Sequence, residues 1–111
     1  MAYDQQLAFR IRQHLASMPY DLTEKKMFGG LAFLYKGKMT VGVNKEDLMV
    51  RIIDGKWQEA LKQHYVNEMK FTGKAMKEFV FVEPSGYETE EQLAEWIELG
   101  VEHARQKLGE L

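Results

Sequence analysis

The side chains of this 111-residue chain that could do chemistry are few, and they are far apart. Its three histidines, His14, His64 and His103, fall on three different predicted helices. Only His64 is followed at helical spacing by a carboxylate, Glu68, which gives two metal ligands where a metal site needs three or four. The chain has no cysteine, so a thiol nucleophile, a thiolate zinc site and a disulfide framework are all excluded. There is no G-x-S-x-G elbow, and Ser17 and Ser85 sit at or near turns with no oriented base beside them. The one lure is Gly73-Lys74 in "FTGKAMK". A phosphate loop needs a glycine five residues before that pair and a serine or threonine after it, but Glu68 and Ala75 stand there. The residues therefore predict no metal, no cofactor and no readable reaction.

Cations remain. Lys25, Lys26, Lys36, Lys38, Lys70, Lys74 and Lys77 suggest either a diffuse anion-attracting surface or a solvated face. Arg51 stands apart from them. In "LMVRII" strand alternation puts it opposite Leu48, Val50 and Ile52 and beside Met49 and Ile53. An arginine among apolar residues on a sheet face is either a partner contact or a stem lying across exposed hydrophobics. Arg51, with Lys25, Lys26, Lys36, Lys38 and Lys74, is the candidate binding set. An anion or small ligand at the sheet rim near Arg51 and Lys74 is the alternative use of the same residues.

The net charge of −2 is unevenly spread. Residues 1–20 carry +1, residues 21–80 carry +3, and residues 81–111 carry −6. A mild +3 over the middle of the chain is too little for a dedicated nucleic-acid binder, so any DNA contact is expected to be weak or indirect. No apolar run approaches the roughly 20 residues of a membrane span, and the N-terminus lacks the basic and apolar regions of a secretory signal. A cytoplasmic protein with no membrane contact is expected.

The elements that must hold these residues follow from periodicity. Leu7, Ile11, Leu15 and Met18 recur at helical spacing over residues 3–18, and Pro19 ends that helix. The period then changes to two. Met27 and Phe28 close a short first strand, and Gly29-Gly30 predicts a tight hairpin, with a bulge as the alternative. In "LAFLY" Leu31, Phe33 and Tyr35 share one face, with Ala32 and Leu34 on the other. A turn at Gly37 leads to a third strand, with Met39, Val41 and Val43 on one face and Thr40 and Gly42 on the other. The fourth strand is "LMVRII". Connections this short make an antiparallel meander.

Trp57, Ala60, Leu61, His64 and Tyr65 predict a short second helix. "VNEMKFTGKAMK" has no clean period, and "EFVFVEP" is a last strand stopped by Pro84. Thr89 to Gln92 spells a capping box. The final helix carries Leu93, Trp96, Ile97, Gly100, Val101, Ala104 and Leu108 as its apolar stripe. Gly100 costs about 1 kcal/mol inside a helix, so close backbone packing is expected there. The predicted order is α-β-β-β-β-α-β-α, an α+β domain over residues 1–111 with helices on an antiparallel sheet. The second sheet face, with Ala32, Leu34, Thr40, Gly42 and Arg51, is expected to be flat and partly apolar, which suggests a homodimer or partner interface. The seven methionines fit either a plastic core or an adaptable binding face.

"KKMFGGLAFLYKGKMTVGV", "LMVR", the late Gly-Lys-x-Met segment before "FVFVEP", and "LAEWIELGVEHA" together resemble the TfoX/Sxy N-terminal domain over about residues 8–108. The most specific matches are Met27-Phe28-Gly29-Gly30 and Leu48 to Arg51, supported by Trp96. The resemblance implies an α+β sandwich. It also implies kinship with regulators of natural transformation competence, thought to act with a cyclic-AMP receptor protein at promoters through protein contact. Longer members carry a second, C-terminal domain; the expectation here is a stand-alone N-terminal unit. The family offers no catalytic residues to carry over. Met27, Phe28, Gly29, Gly30, Trp96 and Gly100 are expected to serve the fold.

Overall fold

A computed structural model describes residues 3–27, 29–71 and 74–111; side chains are described outside residues 70–76. Phe28 lies outside the described residues, as does the side chain of Lys74. The first helix, α1 (Gln5–Ala16), starts two residues later than periodicity suggests, because Asp4 caps it. The Asp4 carboxylate accepts from the Gln6 and Leu7 amides at 2.8 and 3.2 Å, satisfying donors that the first turn leaves open. Four strands follow: β1 (Leu22–Met27), β2 (Gly30–Tyr35), β3 (Lys38–Asn44) and β4 (Asp47–Arg51). Then come α2 (Asp54–Leu61), β5 (Val66–Phe71), β6 (Lys74–Val82), a 3-10 turn at Pro84–Gly86, and α3 (Glu90–Lys107). All neighbouring strands run antiparallel, in the order β1-β2-β3-β4-β6-β5. The α+β class and the four-strand meander stand as predicted.

One strand more is present than the periodicity predicts. "VNEMKFTGKAMK" contributes β5 and the start of β6, which pair across the sheet edge. The pairing shifts register between Glu68 and Lys70. Glu78, in β6, has φ +75°, a left-handed conformation rare for a residue with a side chain. This irregularity breaks the period-two signature on which a strand is recognised. The middle helix also ends at Leu61, so His64 lies beyond it in the turn before β5 rather than on a helix.

At Gly29-Gly30 the outcome is a tight hairpin. Met27 opposes Gly30, and Gly29 has φ +74°. Gly30 serves a different purpose. A Cβ placed on it would lie 1.9 Å from the Val43 carbonyl oxygen, so only glycine lets β2 and β3 lie this close.

The three helices cover one sheet face. Leu7 and Ile11 of α1 and Leu93, Ile97 and Val101 of α3 bury against Phe33, Val41, Val43, Leu48, Val50 and Val80. Full burial of each such side chain stabilises by about 1.5–3 kcal/mol relative to exposure. Gly100 brings α3 onto β3. Its missing Cβ would sit 2.5 Å from the Thr40 carbonyl oxygen and 3.0 Å from Val41 Cγ1. At its N-terminus α3 closes with the Thr89–Gln92 capping box, both reciprocal bonds being present at 3.0 Å.

The third strand departs from simple alternation. Phe33 opposes Val41 and Leu34 opposes Met39, which leaves Thr40 as an extra residue between them. Met39 is thereby turned away from Val41 and Val43 and joins the opposite face, contrary to the sequence expectation. Thr40 is fully buried and donates its hydroxyl to the Phe33 carbonyl oxygen at 2.9 Å. From the sequence, that opposite face is expected to be flat and partly apolar. Ala32, Met39, Met49, Met69 and Phe79 are buried there as a second small cluster. Gly42 lies beneath Met49, whose methyl would be 2.8 Å from an added Cβ.

Candidate functional site

The last residue of β4 is Arg51, and the sheet around it explains its setting. It opposes Phe79 of β6, and its guanidinium carbon lies 5.0 Å above the Phe79 ring centre. The side chain is half-buried, and Nε is buried with no hydrogen-bond partner among the described residues. A stacked guanidinium gains from the ring's negative face, but the ring does not replace a lost hydrogen bond. One residue further on, the Ile52 amide donates to the Glu78 carbonyl oxygen at 2.7 Å, which carries the β4–β6 ladder past Arg51.

Beside Arg51, the unusual backbone at Glu78 has a role that the sequence did not announce. Glu78 Oε1 lies 3.1 Å from Nε2 of His103, which α3 presents fully buried against the sheet. Burial is the main influence holding the His103 ring below the ordinary histidine range, and the Arg51 and Lys107 charges act in the same direction. Its bond to Glu78 opposes them. A carboxylate can only accept, so Nε2 donates to Glu78, and Nδ1 is buried with no hydrogen-bond partner among the described residues. Lys107 Nζ stands 3.9 Å from the other Glu78 oxygen. Trp57 Nε1 donates to the Phe79 carbonyl oxygen at 3.1 Å, and Lys77 reaches Asp54 at 3.3 Å, so α2 is fastened to the same strand.

The other candidate cations are not gathered here. Strand pairing places Lys25 opposite Ala32 and Lys26 opposite Leu31, so they project from opposite faces of β1. Lys36 has φ +50° in the β2–β3 turn and pairs with Glu110 at 2.7 Å. Glu110 also accepts from Tyr35 at 2.9 Å and from Arg105 at 3.3 Å. The Lys36 bond, then the Tyr35 bond, hold its carboxyl below the usual range. Lys38 is exposed at the start of β3. The Lys74 expectation lies outside the described side chains. Among the motif residues, Trp96 is buried and donates Nε1 to the Gly86 carbonyl oxygen at 2.9 Å, which ties α3 to the 3-10 turn.

Two further features were not foreseen. Between α2 and α3 lies a groove of ≈ 520 Å³, walled by Ala60, Tyr65, Trp96 and Leu99, with Lys56 and Glu95 on its rim. Tyr87 donates its hydroxyl to the Glu46 carbonyl oxygen, and burial first, then nearby carboxylates, push the phenol up to about 12. A tyrosine after a 3-10 turn gives no sequence signal for a bond 41 residues back along the chain. Among the described residues, no group of three or more histidine or carboxylate side chains converges as a metal site. No helix among them is long and apolar enough to cross a membrane.

No curated protein and no solved structure matches the chain. The family model described as TfoX N-terminal domain matches residues 13–104. That span runs from α1 through the sheet to α3, and takes in the Arg51 end of β4 together with Glu78 and His103. The chain belongs to the TfoX N-terminal domain family.

Proposed function

We propose that this protein is a non-enzymatic regulatory module that acts in the cytoplasm by contacting a protein of the transcription machinery. Arg51 carries this reading. Its donors lie half-buried over an aromatic ring at the sheet margin, with Nε unpartnered among the described residues. A partly exposed guanidinium held over an aromatic ring can anchor an interface, because a partner's carboxylate or carbonyl oxygen can pair with its outer nitrogens. Family membership supports the regulatory part of the reading. The modest charge of the chain places any DNA contact second to protein contact.

Binding of the purified chain to RNA polymerase and to the cyclic-AMP receptor protein, measured by biolayer interferometry, tests it. Arg51→Met keeps the stem over Phe79 and removes the donors. Saturable binding by the wild type that weakens about tenfold or more in this variant supports the reading. Absence of binding to either protein, or equal binding by the variant, contradicts it.

The same half-buried guanidinium supports a second reading, an anion-binding protein. A melting-temperature rise with phosphate or a nucleotide, absent in Arg51→Met, would select it.

A further inference from the structure

We propose that the exposed edge of β1 is a docking site for an extended acidic segment of another protein, which would join the sheet as a seventh strand. The inference adopts the protein-contact reading above but places the contact elsewhere, since two strands separate β1 from the Arg51 strand.

β1 is a regular edge. All six residues pair in register with β2, from Leu22 opposite Tyr35 to Met27 opposite Gly30, with no bulge. Among the described residues no strand lies on its other side, and α1 meets β1 on one face only, through Leu22 and the Arg12–Glu24 pair. Among the described residues, none from 22 to 27 makes a backbone hydrogen bond beyond the β1–β2 ladder. The outward amides and carbonyls are therefore free to pair with a further strand. The opposite edge is poorer, because β5 shifts register between Glu68 and Lys70 and has α2 packed on it.

Charge selects the occupant. Thr23, Glu24, Lys25 and Lys26 are all exposed. Glu24 is already neutralised: Arg12 of α1 holds both of its oxygens, at 2.7 and 2.8 Å. Lys25 and Lys26 have no carboxylate partner among the described residues. They offer one ammonium on each sheet face, so adjacent acidic residues on an incoming strand would meet both. A second copy of the chain fits badly. A two-fold axis through an antiparallel edge pairs one residue with its own mate. The two registers of greatest overlap then centre on Glu24 or Lys25: the second sets Lys25 against its own mate, and the first leaves both lysines facing Thr23 and Leu22 with no carboxylate to pair with. A foreign acidic strand has no such conflict.

Fluorescence anisotropy with a short labelled peptide of alternating β-branched and acidic residues, ending in adjacent glutamates, tests the proposal. Its controls are the same peptide with a central proline and one with lysines replacing the acids. The acidic peptide should bind saturably. The proline peptide should lose binding, because backbone pairing is interrupted, and Lys25→Glu/Lys26→Glu should weaken binding on the order of tenfold. Alternate amides between residues 22 and 27 should exchange more slowly in the complex. Both lysines are exposed, so the double variant should keep the wild-type melting temperature. No saturable binding, equal binding of the proline peptide, or indifference to the double variant would overturn the proposal and leave the lysines as guards against edge aggregation. Arg51→Met should bind the peptide normally, so failure here and failure at Arg51 are separable.

Discussion

Gly100 of α3 lies directly on the Thr40 carbonyl of β3, with room for a hydrogen but not a methyl: an added Cβ would stand 2.5 Å from that oxygen. Gly100→Ala would ordinarily stabilise a helix by about 1 kcal/mol. Here the overlap is with backbone, which cannot swing aside, and the net effect should be a loss of about 1–3 kcal/mol. Urea unfolding measures it. A more stable variant would show that α3 can lift off the sheet without cost.

Gly30→Ala should be worse, because its Cβ would meet the Val43 carbonyl oxygen at 1.9 Å. The expected result is failure to accumulate as folded protein, or a loss exceeding that of Gly100→Ala, read from denaturation midpoints under identical conditions.

These two close approaches mark what was legible in the sequence. A glycine inside a strong apolar helical stripe signals contact with another backbone, and Gly100 makes that contact. The hairpins, the capping box and the α+β layering could be read from local signals. The face of Met39 could not, because the extra residue at Thr40 arises from how Phe33 and Leu34 pair with β3, and no local pattern records that pairing. Residues 66–71 failed as a strand prediction for a related reason: Glu68 and Lys70 flank a register shift that erases alternation. At the candidate site, Arg51 stood out as a cation in an apolar strand. His103 and Glu78 did not, since 25 residues separate them and their meeting depends on the positive φ at Glu78.

His103 should give stability a pH dependence. Its folded-state value is held below the ordinary histidine value of about 6.5, so the unfolded chain takes up the proton first. Stability from this group is full above about pH 6.5 and falls as pH drops below it. Glu78, Lys107 and Arg51 are the charged groups that bear on the ring; His103→Gln should flatten the urea-midpoint slope between about pH 6.5 and 5. An unchanged slope would assign the dependence to other groups. The carboxyls of Glu24, held low first by its bond from Arg12, and of Glu110, held low first by its bond from Lys36, act in the acid range instead. Their contribution is lost as pH falls below about 4.5.

Thr89→Ala removes the side-chain acceptor for the Gln92 amide. A loss of about 1 kcal/mol is expected, which for a domain of this size lowers the melting temperature by about 4 °C. Calorimetry checks it, and no shift would mean that water replaces the cap at no cost.

The central claim is that this protein regulates by contact through Arg51. The most direct measurement replaces the chromosomal copy, in the organism that makes the protein, with Arg51→Met and compares its transcriptome with wild type and a deletion. The account predicts that Arg51→Met, at wild-type abundance and melting temperature, reproduces the transcript changes of the deletion. A wild-type transcript profile in that variant, beside a clear change in the deletion, would contradict it.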